Sequence, residues 1–383
     1  MKYFVNTYEE CRSRFIEIAK ELVSQHDKVE IGKIKVPCKN DTDLTIDFLY
    51  IPAQLKPEGL FIMSSGVHGV EGFAGSAIQQ MFMKEILTPY IDLNHTGVLL
   101  IHSINPWGHK YFRRVTENNI DFNRNCSIDD TIFSLENENY NNAYPKFNEF
   151  LNPRNPCTCS FSQKIKFILE TRRLIKKHNI RKLRRAILQG QYEFVKGIFF
   201  GGRDFEPQKK ELEDLITRCI KDYKKIKLID LHTGYGVKNK LHFFRVEYDE
   251  NAKLDSLIDR VYKNYKIDGC SKQDMAEEDE FYTVTGSWAE FVIKLARDIP
   301  CIAMGFEFGT LNSQKKMGTI KSLRNMVYEN QGFWNGYACE DHERKVNDSF
   351  IQMFYPKSLK WRKAVMRQVK ECMPVILKRF QDL

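Results

Sequence analysis

The chain has 383 residues, of which 42% are hydrophobic and 13% aromatic, enough for one large or two ordinary globular domains. It contains no run of 18 apolar residues, so no membrane span is expected, and its first residues lack an apolar h-region, so a cytoplasmic location is expected. The net charge of +9 traces to one segment: Lys164 to Arg185 holds ten Lys/Arg and one Glu, which leaves the rest near neutral and argues against a nucleic-acid-binding protein.

In chain order, Tyr8 to Ser24 carries Phe15, Ile18, Ala19 and Leu22 at helical spacing, with Thr7 as N-cap. Val29 to Val36 and Leu44 to Ile51 read as strands, with Asn40-Asp41 suited to the turn between them. Leu60 to Met63 is a short buried strand and Phe73 to Leu87 a helix. Gly97 to His102 is another strand, stopped by Asn105-Pro106-Trp107-Gly108. A polar loop through Thr116 to Asn125 follows.

Residues 126–200 read as an insertion, Asn-rich at first and then basic and helical, with Ile165, Ile168, Ile175, Leu183 and Ile187 near one face. Gly201-Gly202 closes it. Helices at Glu211 to Lys225, Leu254 to Tyr265 and Trp288 to Ala296 alternate with strands at Ile226 to Leu231, Leu241 to Val246 and Cys301 to Phe306. The tail, within a helical extension over 340–383, holds a basic amphipathic helix from Leu359 to Phe380. Alternating strands and helices imply an α/β fold: one domain around a mixed, largely parallel twisted sheet flanked by helices. The ten cysteines are scattered and read as reduced thiols. Cys157-Thr158-Cys159 lacks the second pair that a metal site needs.

Of the nine histidines, only His68 has a glutamate three residues on, in Ser64-Ser65-Gly66-Val67-His68-Gly69-Val70-Glu71-Gly72. At a strand-to-helix junction both side chains can turn toward one point. Zinc takes imidazole nitrogen and carboxylate oxygen at about 2 Å, with a third protein ligand arriving from elsewhere. Strand ends of such sheets collect sites. Three more of them carry polar groups: Asp121-Phe122-Asn123-Arg124, Asp230-Leu231-His232-Thr233-Gly234, and Glu307 in Gly305-Phe306-Glu307-Phe308-Gly309.

Taken in order, these motifs resemble the zinc carboxypeptidase superfamily, with the carboxypeptidase A-like fold. The resemblance is nearest to a bacterial-type branch labelled as a domain of unknown function. It covers roughly residues 50 to 315, including Gly190-Gln191-Tyr192 and Gly201-Gly202. It implies one zinc ion on His68, Glu71 and His232, with water in the fourth position. It implies Glu307 as general base and Arg114 as the group that stabilises the oxyanion, with Arg113 beside it as the competing candidate. Asn123 and Arg124 match the pair that holds a substrate's terminal carboxylate, and Tyr282 the tyrosine that caps it. Asp121 matches the aspartate that orients the first zinc histidine. Asp230 shares a strand face with His232, and either an orienting role or a purely structural hydrogen bond suits it.

The expected activity is hydrolysis of an amide or peptide bond beside a free carboxylate, on a peptide or acyl-amino-acid substrate. An N-acyl amino acid deacylase of the aspartoacylase-like type is the alternative. A third reading, from another class, is a protein that binds nucleic acid or another acidic surface through 164–185. Side-chain preference, metal identity and oligomeric state stay open.

Overall fold

In a computed structural model the described residues are 2–26, 28–134, 143–179, 182–183, 186–187, 189–245, 252–268 and 285–383. Their strands are β1 (Glu30–Lys35), β2 (Thr45–Ile51), β3 (Gly59–Ser65), β4 (Thr96–His102), β5 (Lys225–Gly234), β6 (Leu241–Arg245), β7 (Ile267–Asp268) and β8 (Cys301–Gly309). They form one sheet in the order β1-β2-β4-β3-β5-β8-β6-β7. The central β4-β3-β5-β8 strands are parallel, while β1, β2 and β4 pair antiparallel, as do β6 and β8. The mixed, largely parallel sheet expected from the sequence is therefore present.

The longer helices of the described residues are α1 (Tyr8–Val23), α2 (Gly72–Met81), α3 (Phe161–His178), α4 (Gln208–Ile220), α5 (Ala252–Val261), α6 (Trp288–Ala296), α7 (Lys316–Asn335), α8 (Glu340–Phe354) and α9 (Leu359–Gln381). Both faces of the central strands are apolar because helices cover both. Phe61, Met63, Leu100, Ile229 and Phe306 pack with α1, α2, α5 and α9. Leu60, Ile62, Ile101 and Leu228 point the other way, toward α4 and α6. A third cluster joins residues 143–199 to α7 and α8. No helix of the described residues is long and apolar enough to cross a membrane. The described cysteines, Cys157 and Cys159 among them, are free.

Several boundaries differ from the sequence reading. β5 runs three residues past Leu231 and β8 three past Phe306, so His232 and Glu307 lie within strands rather than beyond them. The helix after the His68 loop breaks from α into a π turn at Phe82–Ile86. α3 buries Phe167, Thr171 and Leu174, whereas Ile165, expected on the inner face, is 42% exposed. Phe167 decides the rotation by packing its ring 4.8 Å from Phe150 and 5.8 Å from Tyr328. α7 has no counterpart in the expected elements. Its buried face carries Asn325, Glu329, Asn330 and Gln331, which erases the apolar period. Each of these meets a partner, such as Asn330 Nδ2 donating to Lys196 O at 2.8 Å.

The far side of α2 buries two histidines. His102 Nε2 lies 2.9 Å from Ser76 Oγ, and its ring stacks on Phe15. His109 Nδ1 lies 2.8 Å from Ser103 Oγ, edge-on to Phe73. Burial, with Arg12 adding, pushes His102 down from 6.5 to about 3; burial and then His102 push His109 well below its ordinary value. Between those limits the unfolded chain takes up protons that the folded chain refuses, so stability falls as pH drops from 6.5 toward 3. Urea unfolding measured across that range is expected to show a decline that is shallower in His102→Gln.

Candidate metal centre

The parallel strands β4, β3, β5 and β8 all end at one edge of the sheet, and the candidate groups gather there. After β3 the chain turns at Gly66, whose φ of +67° favours glycine. Gly69 then passes so close to the main chain of Gly108 that a Cβ would sit 2.1 Å from its carbonyl carbon. This lays the His68 loop against the short helix Pro106–Lys110. A single 3-10 turn, Gly69–Glu71, separates the two side chains and folds Glu71 back toward His68.

Glu71 is the centre of the group. His68 Nδ1 lies 3.0 Å from its Oε1, and His232 Nδ1 lies 3.2 Å from its Oε2. The main-chain N–H of Thr233 donates to Oε2 at 2.9 Å. One donor atom from each of His68, Glu71 and His232 lies within 4.8 Å of the others. Tetrahedral ligands at about 2.0–2.1 Å from a metal stand roughly 3.4 Å apart. Two neutral-capable imidazoles and a carboxylate gathered this closely suit a metal ion.

An aspartate stands behind each imidazole, hydrogen-bonded to His232 and at ion-pair distance from His68. His232 Nε2 is 2.6 Å from Asp230 Oδ2, and His68 Nε2 is 3.3 Å from Asp121 Oδ1. Arg114 grips the other Asp121 oxygen through Nε at 3.2 Å and Nη2 at 3.1 Å, and its Nη1 reaches to 3.6 Å from Glu71. Asp230 Oδ1 accepts from Ser64 Oγ at 2.7 Å, and Ser64 Oγ accepts from Trp288 Nε1 at 3.0 Å. The sequence reading did not single out Ser64, Trp288 or Thr233. Ser64 faces Asp230 across the β3–β5 register, a pairing that no local pattern reveals.

The charges follow from this packing. Burial opposes ionisation of Glu71, but the two histidines outweigh it and hold the carboxyl well below its ordinary range. Asp121 is likewise held down, with Arg114 and His68 overcoming burial. Burial lowers and Asp230 raises the affinity of His232 for a proton, and the carboxylates prevail. Glu307 behaves differently. It pairs in register with His232 across β5 and β8, and its Oε2 is buried with no hydrogen-bond partner. Burial, opposed by His232 and reinforced by Glu71, pushes it up to about 7.

Asn123 and Arg124 occupy a 3-10 turn, Phe122–Arg124, capped by Asp121. Asn123 Oδ1 accepts from the main-chain N–H of Trp288 at 2.9 Å. Arg124 is buried, and its carbonyl accepts from Tyr192 Oη at 2.7 Å. A Cβ on Gly190 would sit 2.7 Å from Arg124 Cδ, so Gly190-Gln191-Tyr192 forms one wall of this arginine's seat. Tyr282 lies outside the described residues.

Over residues 4–368 the sequence matches the model of a family described as a protein of unknown function, DUF2817. The chain belongs to this family. No curated protein matches the sequence. Among solved structures, bovine thrombin-activatable fibrinolysis inhibitor in complex with tick carboxypeptidase inhibitor is 13% identical, at a TM-score of 0.45, covering 96% of this chain and 100% of that one. Carboxypeptidase A from Helicoverpa armigera is 13% identical, at 0.44, covering 91% and 74%. The metallo-carboxypeptidase from Pseudomonas aeruginosa in complex with (2-guanidinoethylmercapto)succinic acid is 11% identical, at 0.43, covering 92% and 69%.

In this DUF2817 chain the two adjacent arginines part company. Arg114 faces Asp121 and Glu71, while Arg113 turns away to Glu329 on α7, Nε to Oε1 at 2.5 Å, with its guanidinium 3.6 Å above the Phe333 ring. Arg113→Ala leaves the Glu329 carboxylate in a closed setting without its cation. It is expected to cost about 3–5 kcal/mol of stability in denaturant unfolding.

Proposed function

We propose that this protein is a zinc-dependent hydrolase that cleaves an amide or peptide bond next to a free carboxylate. One observation carries the proposal: His68 Nδ1, Glu71 and His232 Nδ1 converge, with the far nitrogen of each imidazole set against an aspartate. A carboxylate behind each histidine is what a metal-binding imidazole needs to present a lone pair. A zinc ion there would supply a Lewis acid that lowers the pKa of water toward about 7.

The remaining roles belong to this chain's own side chains. Glu307 stands beside His232 with a buried oxygen that accepts nothing, free to take a proton from water and return it to the leaving nitrogen. Arg114 brings a positive charge to the edge of the group, where the scissile carbonyl's oxygen gains negative charge. Arg124, seated by Gly190 and Tyr192, presents a guanidinium for the substrate's carboxylate, and the Asn123 amide adds a donor. Tyr282 takes the capping role on the resemblance alone.

The test is a panel of short peptides with free or amidated C-termini, alongside N-acyl amino acids, assayed with protein of measured zinc content. Hydrolysis of free-carboxylate peptides but not their amides is expected, lost with a chelator and restored by zinc. Turnover of N-acyl amino acids alone would move the assignment to a deacylase. Equal turnover of free and amidated peptides would overturn the carboxylate clamp. Glu307→Gln is expected to lower kcat by about 100- to 10,000-fold, the usual share of a general base, while one zinc per chain is retained. Arg124→Ala is expected to lower kcat/KM on free-carboxylate substrates about 10- to 100-fold, in line with roughly 1.5–3 kcal/mol for hydrogen bonds to a charged group.

A further inference from the structure

We infer that Trp288 is a positioning residue that sets both the metal-binding face of His232 and the orientation of Asn123; the inference rests on the metal-hydrolase reading of the site. The geometry is a chain of three contacts: Trp288 Nε1 to Ser64 Oγ at 3.0 Å, Ser64 Oγ to Asp230 Oδ1 at 2.7 Å, and Asp230 Oδ2 to His232 Nε2 at 2.6 Å. Trp288 and Ser64 are fully buried, and Asp230 is 2% exposed.

The direction of each hydrogen bond is forced. An indole N–H can only donate. Ser64 must therefore accept from Trp288, and its single hydroxyl proton is left for Asp230. A carboxylate accepts at both oxygens, so Asp230 takes the Ser64 proton on Oδ1 and faces Nε2 of His232 with Oδ2. With Nε2 as donor, the neutral imidazole must carry its lone pair on Nδ1, the atom that faces Glu71. Asp230 thus sets the histidine's tautomer, and the indole proton, by committing the Ser64 hydroxyl to Oδ1, holds Asp230 in the orientation that faces Nε2.

The same residue acts in a second direction. Its main-chain N–H donates to Asn123 Oδ1 at 2.9 Å. That contact decides which end of the Asn123 amide is oxygen and turns the Nδ2 donor the opposite way. Trp288 is the first residue of α6, so the start of one helix holds both the group behind His232 and the amide beside Arg124. Loss of the indole N–H leaves the Ser64 rotor free to turn away from Asp230. Side chains standing behind a ligand in this way change metal affinity by about 10- to 100-fold when removed.

The test measures zinc affinity of the full chain by competition with a chelator, together with kcat and KM on the substrate found above. Trp288→Phe, which removes only the indole N–H edge and keeps an aromatic ring, is expected to weaken zinc binding about 10- to 100-fold. Ser64→Ala is expected to do the same, and the double variant to be no worse than either single, because both cut one chain of contacts. Trp361→Phe is the control. Trp361 is also fully buried, but its indole donates to Gly309 O, and the side chain packs against the opposite face of the sheet. This variant is expected to lower the melting temperature without weakening zinc.

Unchanged zinc affinity in Trp288→Phe or Ser64→Ala would overturn the inference and leave the metal site standing. So would loss of affinity equal to that of Trp361→Phe. Failure of the wild-type protein to bind zinc, or binding unaffected by His232→Ala, would overturn the metal-site reading itself. Because Asn123 is held by the main chain, KM for the carboxylate-bearing substrate is expected to stay near wild type in Trp288→Phe. A KM rise as large as that of Arg124→Ala would contradict this division of roles.

Discussion

A carboxylate in the interior must be compensated, and Glu71, 2% exposed, is surrounded by groups that do so. Moving such an ion out of water costs several kcal/mol unless partners with good geometry replace the lost hydration. Two imidazoles, a main-chain N–H and, at longer range, a guanidinium meet its two oxygens. The elements around it are shaped by this requirement. The turn at Gly66 and the close pass at Gly69 deliver Glu71 to the spot, and the extension of β5 delivers His232 and Thr233. Each imidazole then needs its own partner, so Asp121 and Asp230 are buried as well, and these draw in Arg114 and Ser64. A nested set of charges and hydrogen bonds grows outward from one side chain.

The sheet makes that set rigid. β3, β5 and β8 are adjacent and parallel, so residues at their ends come together without any loop having to reach. The register places His232 beside Glu307 and Ser64 beside Asp230 by main-chain hydrogen bonding alone. Around this frame, residues 143–199 with α7 and α8 form a separate cluster on the side of the Arg113 segment, tied to it by the Arg113–Glu329 pair. The arrangement separates duties between neighbours in sequence: Arg113 anchors α7 and Arg114 faces the centre.

Legibility in the sequence varied with the range of the interaction. His68 and Glu71 are three residues apart and joined by one turn, so their spacing alone implied a shared point. Asp230 and His232 alternate on a strand, which put them on one face, though only the structure showed the 2.6 Å contact that gives Asp230 its place. The partner for the His68 pair came from motif order and resemblance, since 161 residues separate Glu71 from His232. The Trp288–Ser64 contact left no trace, because it spans 224 residues and neither residue type is unusual in a core. α7 leaves no periodic signal in the sequence because its inner face is rich in polar residues, which interrupts the apolar spacing of a packed helix.

By itself, the order of residues determined what local physics controls: the alternation of strands and helices, the tight His-x-x-Glu turn, and the set of side chains capable of metal, acid–base and carboxylate chemistry. Only the tertiary structure decided which of two adjacent arginines faces the site, how far β5 and β8 extend, and what stands behind each imidazole. Those outcomes depend on contacts between segments far apart in the chain, where strand register and helix packing, rather than neighbouring residues, determine the distance between two atoms.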